Sequence, residues 1–332
     1  MKFRIFFVIF LLGISVSAFS QIINVLQLQK NFEELSEELA SSLPFNSSMG
    51  LTWADAYIGK MFPSLIPHFG AGLSLGLTTI EKREIKNLIN YLGFEIPGDA
   101  NKLFIPAYAL ETRLGGLFFP FDLGFKFGYI SHMEFPSNNV DVESLLAGGD
   151  IRFAIIDGKS SRVLPNISLG VGFNYLKGGI GTMPAISNTI SFGNQNLSIE
   201  NPGVKLIWEN FSLDLKIQIS KSILLFTPYL GAGASYAWSS AEYLINAKVT
   251  LNGSPISDLS MEYIKNFLLL AGINNMNVSV TGISSSIEKS ALNTRLFGGV
   301  SINLLVLKLD LTALYSFIEN NYGVSLGIRF QL

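Results

Sequence analysis

Hydrophobicity with a period of two, kept up over segments of ten residues or more, is the feature that most constrains what this chain can become. Between Phe121 and Tyr129 one face reads Phe121, Leu123, Phe125, Phe127 and Tyr129, and the other reads Asp122, Gly124, Lys126 and Gly128. Phe211, Leu213, Leu215, Ile217 and Ile219 alternate with Ser212, Asp214, Lys216, Gln218 and Ser220. The stretch from Leu305 to Phe317 repeats the pattern, with Lys308, Asp310, Thr312 and Ser316 on its polar face. The final stretch sets Tyr322, Val324, Leu326, Ile328, Phe330 and Leu332 against Gly323, Ser325, Gly327, Arg329 and Gln331. Successive strand side chains point to opposite faces, so each segment has one apolar and one polar side.

Alternation also suits an antiparallel sheet of a soluble sandwich, which wets one face. Three features favour a transmembrane barrel instead. The segments are about twice the usual five or six residues of a soluble strand, and nearly all of them alternate, as a wall between lipid and lumen requires. Small residues (Gly70, Gly72, Gly124, Gly128, Gly170, Gly172, Gly231 and Gly233) fall on the polar parity, where a lumen must leave room. Composition agrees. Only 14% of residues are charged, against about 25% in soluble domains. The fold class expected is therefore all-β, a transmembrane antiparallel barrel of roughly 10–12 strands, with a short N-terminal helix and helices in extracellular loops.

The candidate strands are 67–79, 104–118, 121–131, 145–156, 165–177, 209–219, 224–239, 292–303, 305–317 and 322–332, with a further candidate at 51–59. Connections after 118, 156, 219 and 303 are short, and those after 79, 131, 177 and 239 are long. That alternation is the habit of periplasmic turns and extracellular loops. Ten strands close with even parity. If 51–59 joins the wall with a partner, the count becomes twelve. Phe118, Phe119, Phe121, Tyr236, Trp238, Tyr315, Phe317 and Tyr322 sit near strand ends, where interfacial girdles form.

Residues 1–20 have the form of an export signal, with Lys2 and Arg4 ahead of an apolar run and Ala18 and Ser20 before a cut at Gln21. Residues 21–50 form an N-terminal helical segment, with a helix over 25–43 that carries Leu28, Phe32, Leu35 and Leu39 on one stripe. It lies either in the periplasm or as a plug in the lumen, and residues 51–332 form the barrel. Two more helices are expected in extracellular loops, at 81–92 and at 258–271, the latter with Ile264, Phe267, Leu268 and Leu270 as an exposed apolar set.

Charges on the polar parity must point inward, because Arg or Lys facing lipid costs about 2–4 kcal/mol at the midplane. They are Glu111, Arg113, Asp122, Lys126, Asp150, Arg152, Asp214, Lys216, Arg295, Lys308, Asp310 and Arg329. Two uses are open: ion pairs that fill a narrow lumen, or a polar constriction that screens solutes. The two histidines, His68 and His132, lack the spacing of a Ser-His-acid unit and of a metal site, so no catalytic residue, metal or cofactor is expected and the chain is not read as an enzyme. Gly70-Ala71-Gly72 and Gly231-Ala232-Gly233 do not complete a nucleotide fingerprint. The absence of Cys excludes disulfides, thiolate sites and lipid attachment through Cys, and a net charge of -2 gives no basis for nucleic-acid binding.

The signal, the alternating strands and the closing Gly327-Ile328-Arg329-Phe330-Gln331-Leu332 resemble an outer-membrane β-barrel protein of a diderm bacterium. The chain ends on Leu where that class more often has Phe. The resemblance implies residence in the cell outer membrane, contact with its lipid, and recognition of the C-terminal strand by barrel-assembly machinery. A composition rich in Phe, Ile, Asn and Lys is similar to that of spirochaete barrels. A segment ahead of the barrel, with apolar extracellular helices, is similar to the long-chain fatty-acid transporter group, although that group's Asn-Pro-Ala motif is not found. The function expected is a channel passing small molecules, hydrophobic ones included, as its unknown cargo. The alternative is a non-conducting structural or surface-adhesion barrel that acts through its long extracellular loops.

Overall fold

The computed structural model describes residues 30, 33–62, 67–81, 102–135, 140–158, 161, 163–182, 188–192, 195–251, 253–255, 277–279 and 282–332. The strands are β1 (Phe69–Glu81), β2 (Lys102–Gly115), β3 (Phe121–Phe135), β4 (Val140–Ile156), β5 (Asn166–Thr182), β6 (Asn188–Phe192), β7 (Gln195–Ser220), β8 (Phe226–Leu251), β9 (Ser254–Pro255), β10 (Asn277–Ser279), β11 (Gly282–Leu304), β12 (Leu307–Ser316) and β13 (Tyr322–Gln331). Each wall strand pairs antiparallel with its neighbour in the order β1-β2-β3-β4-β5-β7-β8-β11-β12-β13. β13 then pairs back on β1, with Gly70 opposite Gln331 and Thr78 opposite Gly323. The wall is a closed ten-strand barrel, and β6, β9 and β10 are short additions outside it.

The distribution of side chains is that of a soluble protein turned inside out. Along β12, Leu309, Leu311 and Tyr315 are exposed while Asp310, Thr312 and Ser316 are buried, and β13 alternates in the same way. The exposed band continues through Leu110, Phe125, Phe127, Phe173, Leu213, Leu215, Ile217, Leu230 and Leu326. A continuous apolar belt of this size is tolerated only in lipid, and closure leaves no unpaired edge within the wall. Among the described residues no helix is long and apolar enough to cross a membrane. The chain is an outer-membrane β-barrel. Placing Arg at Leu215, in the middle of this belt, is expected to destabilise the folded barrel by about 2–4 kcal/mol, read as a shift in its urea midpoint in lipid vesicles. The same change at Val163, which is 86% exposed in a turn, is expected to be silent.

The two rims differ. At the end where β1 begins and β13 finishes, the turns are short and carry apolar side chains: Phe118, Phe119, Leu224 and Leu305 all project outward. Leu305 starts a two-residue hairpin with φ of 58°, a conformation that usually selects Asn or Gly. It is 97% exposed, as suits a side chain resting at the lipid boundary. Short turns and both wall termini mark the periplasmic end. At the opposite rim Phe211 stacks on Trp238 with centroids 6.0 Å apart, and Tyr236 meets Trp238 edge-on at 4.9 Å.

Beyond that outer girdle the wall keeps rising. β7 and β8 each run 26 residues and β11 runs 23, while about 9–11 residues suffice to cross the membrane. Several stretches expected to be loops are therefore strand. Only residues 136–139 separate β3 from β4, and His132 lies within β3. The connection 317–321 at the outer end is short, where the alternation of short and long connections expects a long one. The expected helix over 258–271, with Ile264, Phe267, Leu268 and Leu270, lies outside the described residues, as do residues 82–92 of the other loop helix and the export signal.

Candidate functional site

The inward-facing charges do not line open water. Residues 33–47 form a helix, α1, inside the barrel, and residues 48–59 continue beneath it without regular secondary structure. Leu35, Leu39, Leu43, Phe45, Met49, Trp53, Ala54, Ala56, Tyr57 and Ile58 are all buried. The helix runs on to residue 47, a few residues past the expected end at 43, and 51–59 is not a wall strand. Its backbone groups find partners on lumen side chains and not in a strand ladder, which settles the wall at ten.

The depth of this segment can be read along β1. Gly70 lies against Trp53, Gly76 against Met49, and Ile80 against Leu39 and Leu43 of the helix. The segment therefore descends antiparallel to β1, from the outer rim to the periplasmic rim. At its top, Leu39, Ala40 and Leu43 pack against Ile80 and Ala241, with Ile105, Leu176, Leu206 and Trp208 alongside. Lys289 donates to Ser41 Oγ at 2.6 Å, and Asn321 donates to Ser42 Oγ at 3.0 Å. Lower down, Phe45, Met49 and Ala54 meet Tyr229, Phe297 and Leu314. Three residues past the end of the helix Gly50 takes a φ of 83°. A Cβ there would stand 2.9 Å from Glu111 Oε1, so glycine permits both the turn and the close approach.

Around and below Gly50 the wall charges grip the segment. Lys126 Nζ donates to the carbonyls of Ser47 at 2.7 Å and Met49 at 2.5 Å. Trp53 Nε1 donates to Glu111 at 2.5 Å, and Ser74 donates to the same carboxylate. The guanidinium of Arg329 sits 4.6 Å from the Trp53 ring centre and that of Arg113 sits 5.6 Å from it, both within cation–π range. Gln218 donates to the carbonyls of Trp53 and Ala54, and Ala56 N–H donates to Ser220 Oγ. Arg152 donates to the Asp55 carbonyl at 2.8 Å, and Ile58 N–H donates to Asp122 Oδ2 at 3.1 Å.

The expected site residues gather into three ion-pair groups. Asp122 bridges Arg113 at 2.6 Å and Arg152 at 2.8 Å, while Asp150 takes Arg113 at 2.8 Å and also Lys216. Arg295 and Asp214 form a two-pronged pair at 2.8 Å. Arg329 pairs with Asp310 at 2.6 Å, and Asp55 of the segment completes this group with Arg329 at 3.1 Å and Lys308 at 2.7 Å. The wall carries more cations than carboxylates. Asp55 and the carbonyls of residues 47–55 supply the difference, which lets Arg113, Arg152 and Arg329 sit at 2% exposure or less. A buried charge needs such partners, and here many of them come from the segment.

Asp55 and Trp53 escaped the sequence reading because 51–59 alternates weakly like a strand. A usable signal was present: residues 39–54 carry no charged side chain, which is unusual for a segment in water. Of the histidines, His68 sits at the periplasmic rim, its Nδ1 3.1 Å from the Leu332 carbonyl and its ring packed against Gly59. Among the described residues no group of three or more His, Asp or Glu is arranged to hold a metal.

A family model described as Lsa36-like matches residues 60–332, a span that holds every wall strand. No curated protein matches the sequence. Among solved structures, the chain is similar to the outer membrane protease OmpT from Escherichia coli, at 10% identity and a TM-score of 0.41, over 80% of this chain and 97% of that one. It is also similar to the translocator domain of the autotransporter NalP from Neisseria meningitidis, at 8% identity and a TM-score of 0.32, over 82% and 91%. A third is the Ralstonia pickettii toluene transporter TbuX, at 10% identity and a TM-score of 0.25, over 80% and 88%.

Proposed function

We propose, from the premise that the chain belongs to the Lsa36-like family and is an outer-membrane barrel, that it works at the cell surface as a non-conducting barrel. On this reading the outer arms of β5, β7, β8 and β11 bind macromolecules outside the cell. The observation that carries it is the filled lumen. Residues 33–59 occupy the passage, and the cations that would select a solute are engaged by their carbonyls, by Asp55 and by wall carboxylates. Passage of small molecules, the first function expected from the sequence, would require this whole set of buried contacts to break. The tall arms favour surface contact, since strands held well above the girdle have no part in spanning the membrane.

Two measurements test this. The purified full-length protein is expected to give no steady single-channel current in planar bilayers. Cells displaying it are expected to adhere to a protein-coated surface, and to lose adherence when the arms are trimmed. Register pairs make the trim feasible. Leu176 lies opposite Asn210 and Ser239 opposite Lys289, so an Asn-Gly turn can replace 177–209 and another 240–288. Steady currents from the intact chain would sink the proposal. So would a trimmed barrel that is folded by circular dichroism and adheres as well as its parent.

A further inference from the structure

We infer that the lumen segment is threaded from the outside inward, so that its upper end, marked by Lys30 and the first turn of α1, stands on the cell surface. The inference goes beyond the proposed function and does not depend on whether the barrel conducts or adheres.

Parity comes first. Ten wall strands return the chain to the side on which it began, so β1 starts and β13 ends at the same rim. One pass through the lumen adds an eleventh crossing, which puts Lys30 and the start of α1 on the side opposite the C-terminus. The depth markers along β1 establish that this pass is complete. Trp53 is level with Gly70, Met49 with Gly76, and Leu39 and Leu43 with Ile80. Below them Met61 N–H donates to the Gly116 carbonyl and Phe118 N–H to the Phe62 carbonyl, which fastens the segment's lower end to a periplasmic turn.

Solvation marks the upper end. Lys30 is 67% exposed at its side chain and lies 3.6 Å from Glu34, and Glu37 is 64% exposed beside Lys289. One helical turn further in, Leu39, Ala40 and Leu43 are almost wholly buried. Charge gives way to apolar packing where the helix enters the barrel, at the height of the β8 and β11 arms that rise beyond the girdle. A segment inserted from the periplasm would put its charged end at the rim of short apolar turns. The observed order is the reverse. This end of the segment therefore lies across the outer membrane from the C-terminus, and a sequence joined ahead of Lys30 would start from the cell surface.

The chain has no cysteine, so single cysteines report position without a background. Three variants are labelled on cells with a polyethylene-glycol maleimide too large to pass the outer membrane: Lys30→Cys, Ile318→Cys in the outer turn and Val163→Cys in a periplasmic turn. Lys30 loses only an exposed ion pair, which contributes little to stability. Ile318 and Val163 are 51% and 86% exposed. Lys30→Cys and Ile318→Cys are expected to label on intact cells to the same extent as after permeabilisation. Val163→Cys should label only after it. Labelling of Lys30→Cys only after permeabilisation, together with Val163→Cys, overturns the inference, as does a Lys30→Cys that labels only on denaturation. Inverted behaviour of the two turn controls overturns the orientation on which it rests.

Discussion

Removing residues 33–58 is expected to turn a silent barrel into a pore that passes ions and prefers anions. The segment supplies Asp55 and a line of carbonyls to Lys126, Arg152, Lys216, Lys308 and Arg329. Without it, water must solvate those cations, and the lumen retains more cations than carboxylates on its wall. Inward-facing Arg and Lys select anions in pores of this kind. The measurement is single-channel current in planar bilayers, with the reversal potential under a salt gradient giving the sign. A variant that folds and stays silent would mean that another part of the chain closes the lumen. Cation preference would contradict the excess of cations on the wall. Loss of the segment also leaves Arg329 and Lys308 short of a carboxylate, so the shortened barrel should unfold at lower urea than the parent.

Asp122→Ala is expected to be the most destabilising single change, costing about 3–5 kcal/mol, as for other buried pairs broken from one side. Asp122 has no solvent exposure. It accepts from Arg113 at 2.6 Å, from two nitrogens of Arg152 at 2.8 and 2.9 Å, and from the backbone of Ile58 at 3.1 Å. Alanine leaves two buried guanidinium groups under-compensated and also unfastens the lumen segment from the wall. Lys177→Ala is the control. Its partner Glu209 is 3.9 Å away and both side chains are about half exposed, so its loss should change stability by at most about 1 kcal/mol. Urea unfolding in lipid vesicles measures both. Equal midpoints for the two variants would show that the buried network does not hold the barrel. A leak current in Asp122→Ala would connect its stability to closure of the lumen.

Much of this architecture could be read from residues alone, for a physical reason. Lipid on one side and lumen on the other impose opposite demands on alternate residues, so Leu213, Leu215 and Ile217 had to face out while Asp214 and Lys216 faced in. The same demand located the inward charges and the ten wall strands. It lapses above the outer girdle. There the outer face is no longer against lipid, so the arms of β7, β8 and β11 carry no strict alternation, although their backbones continue to pair. Stretches that pair without alternating look like loops in sequence.

The lumen segment was hidden for a different reason. The partners of residues 47–58 are spread over Glu111, Asp122, Arg152, Gln218, Lys308 and Arg329, on six wall strands. No spacing along the chain brings these side chains together. They reach one level only when β13 closes on β1, because the register of every intervening pair sets their relative heights. The period of two therefore determined what faces lipid and what faces inward. Closure of the wall decided what the inward charges hold: the chain's own N-terminal segment.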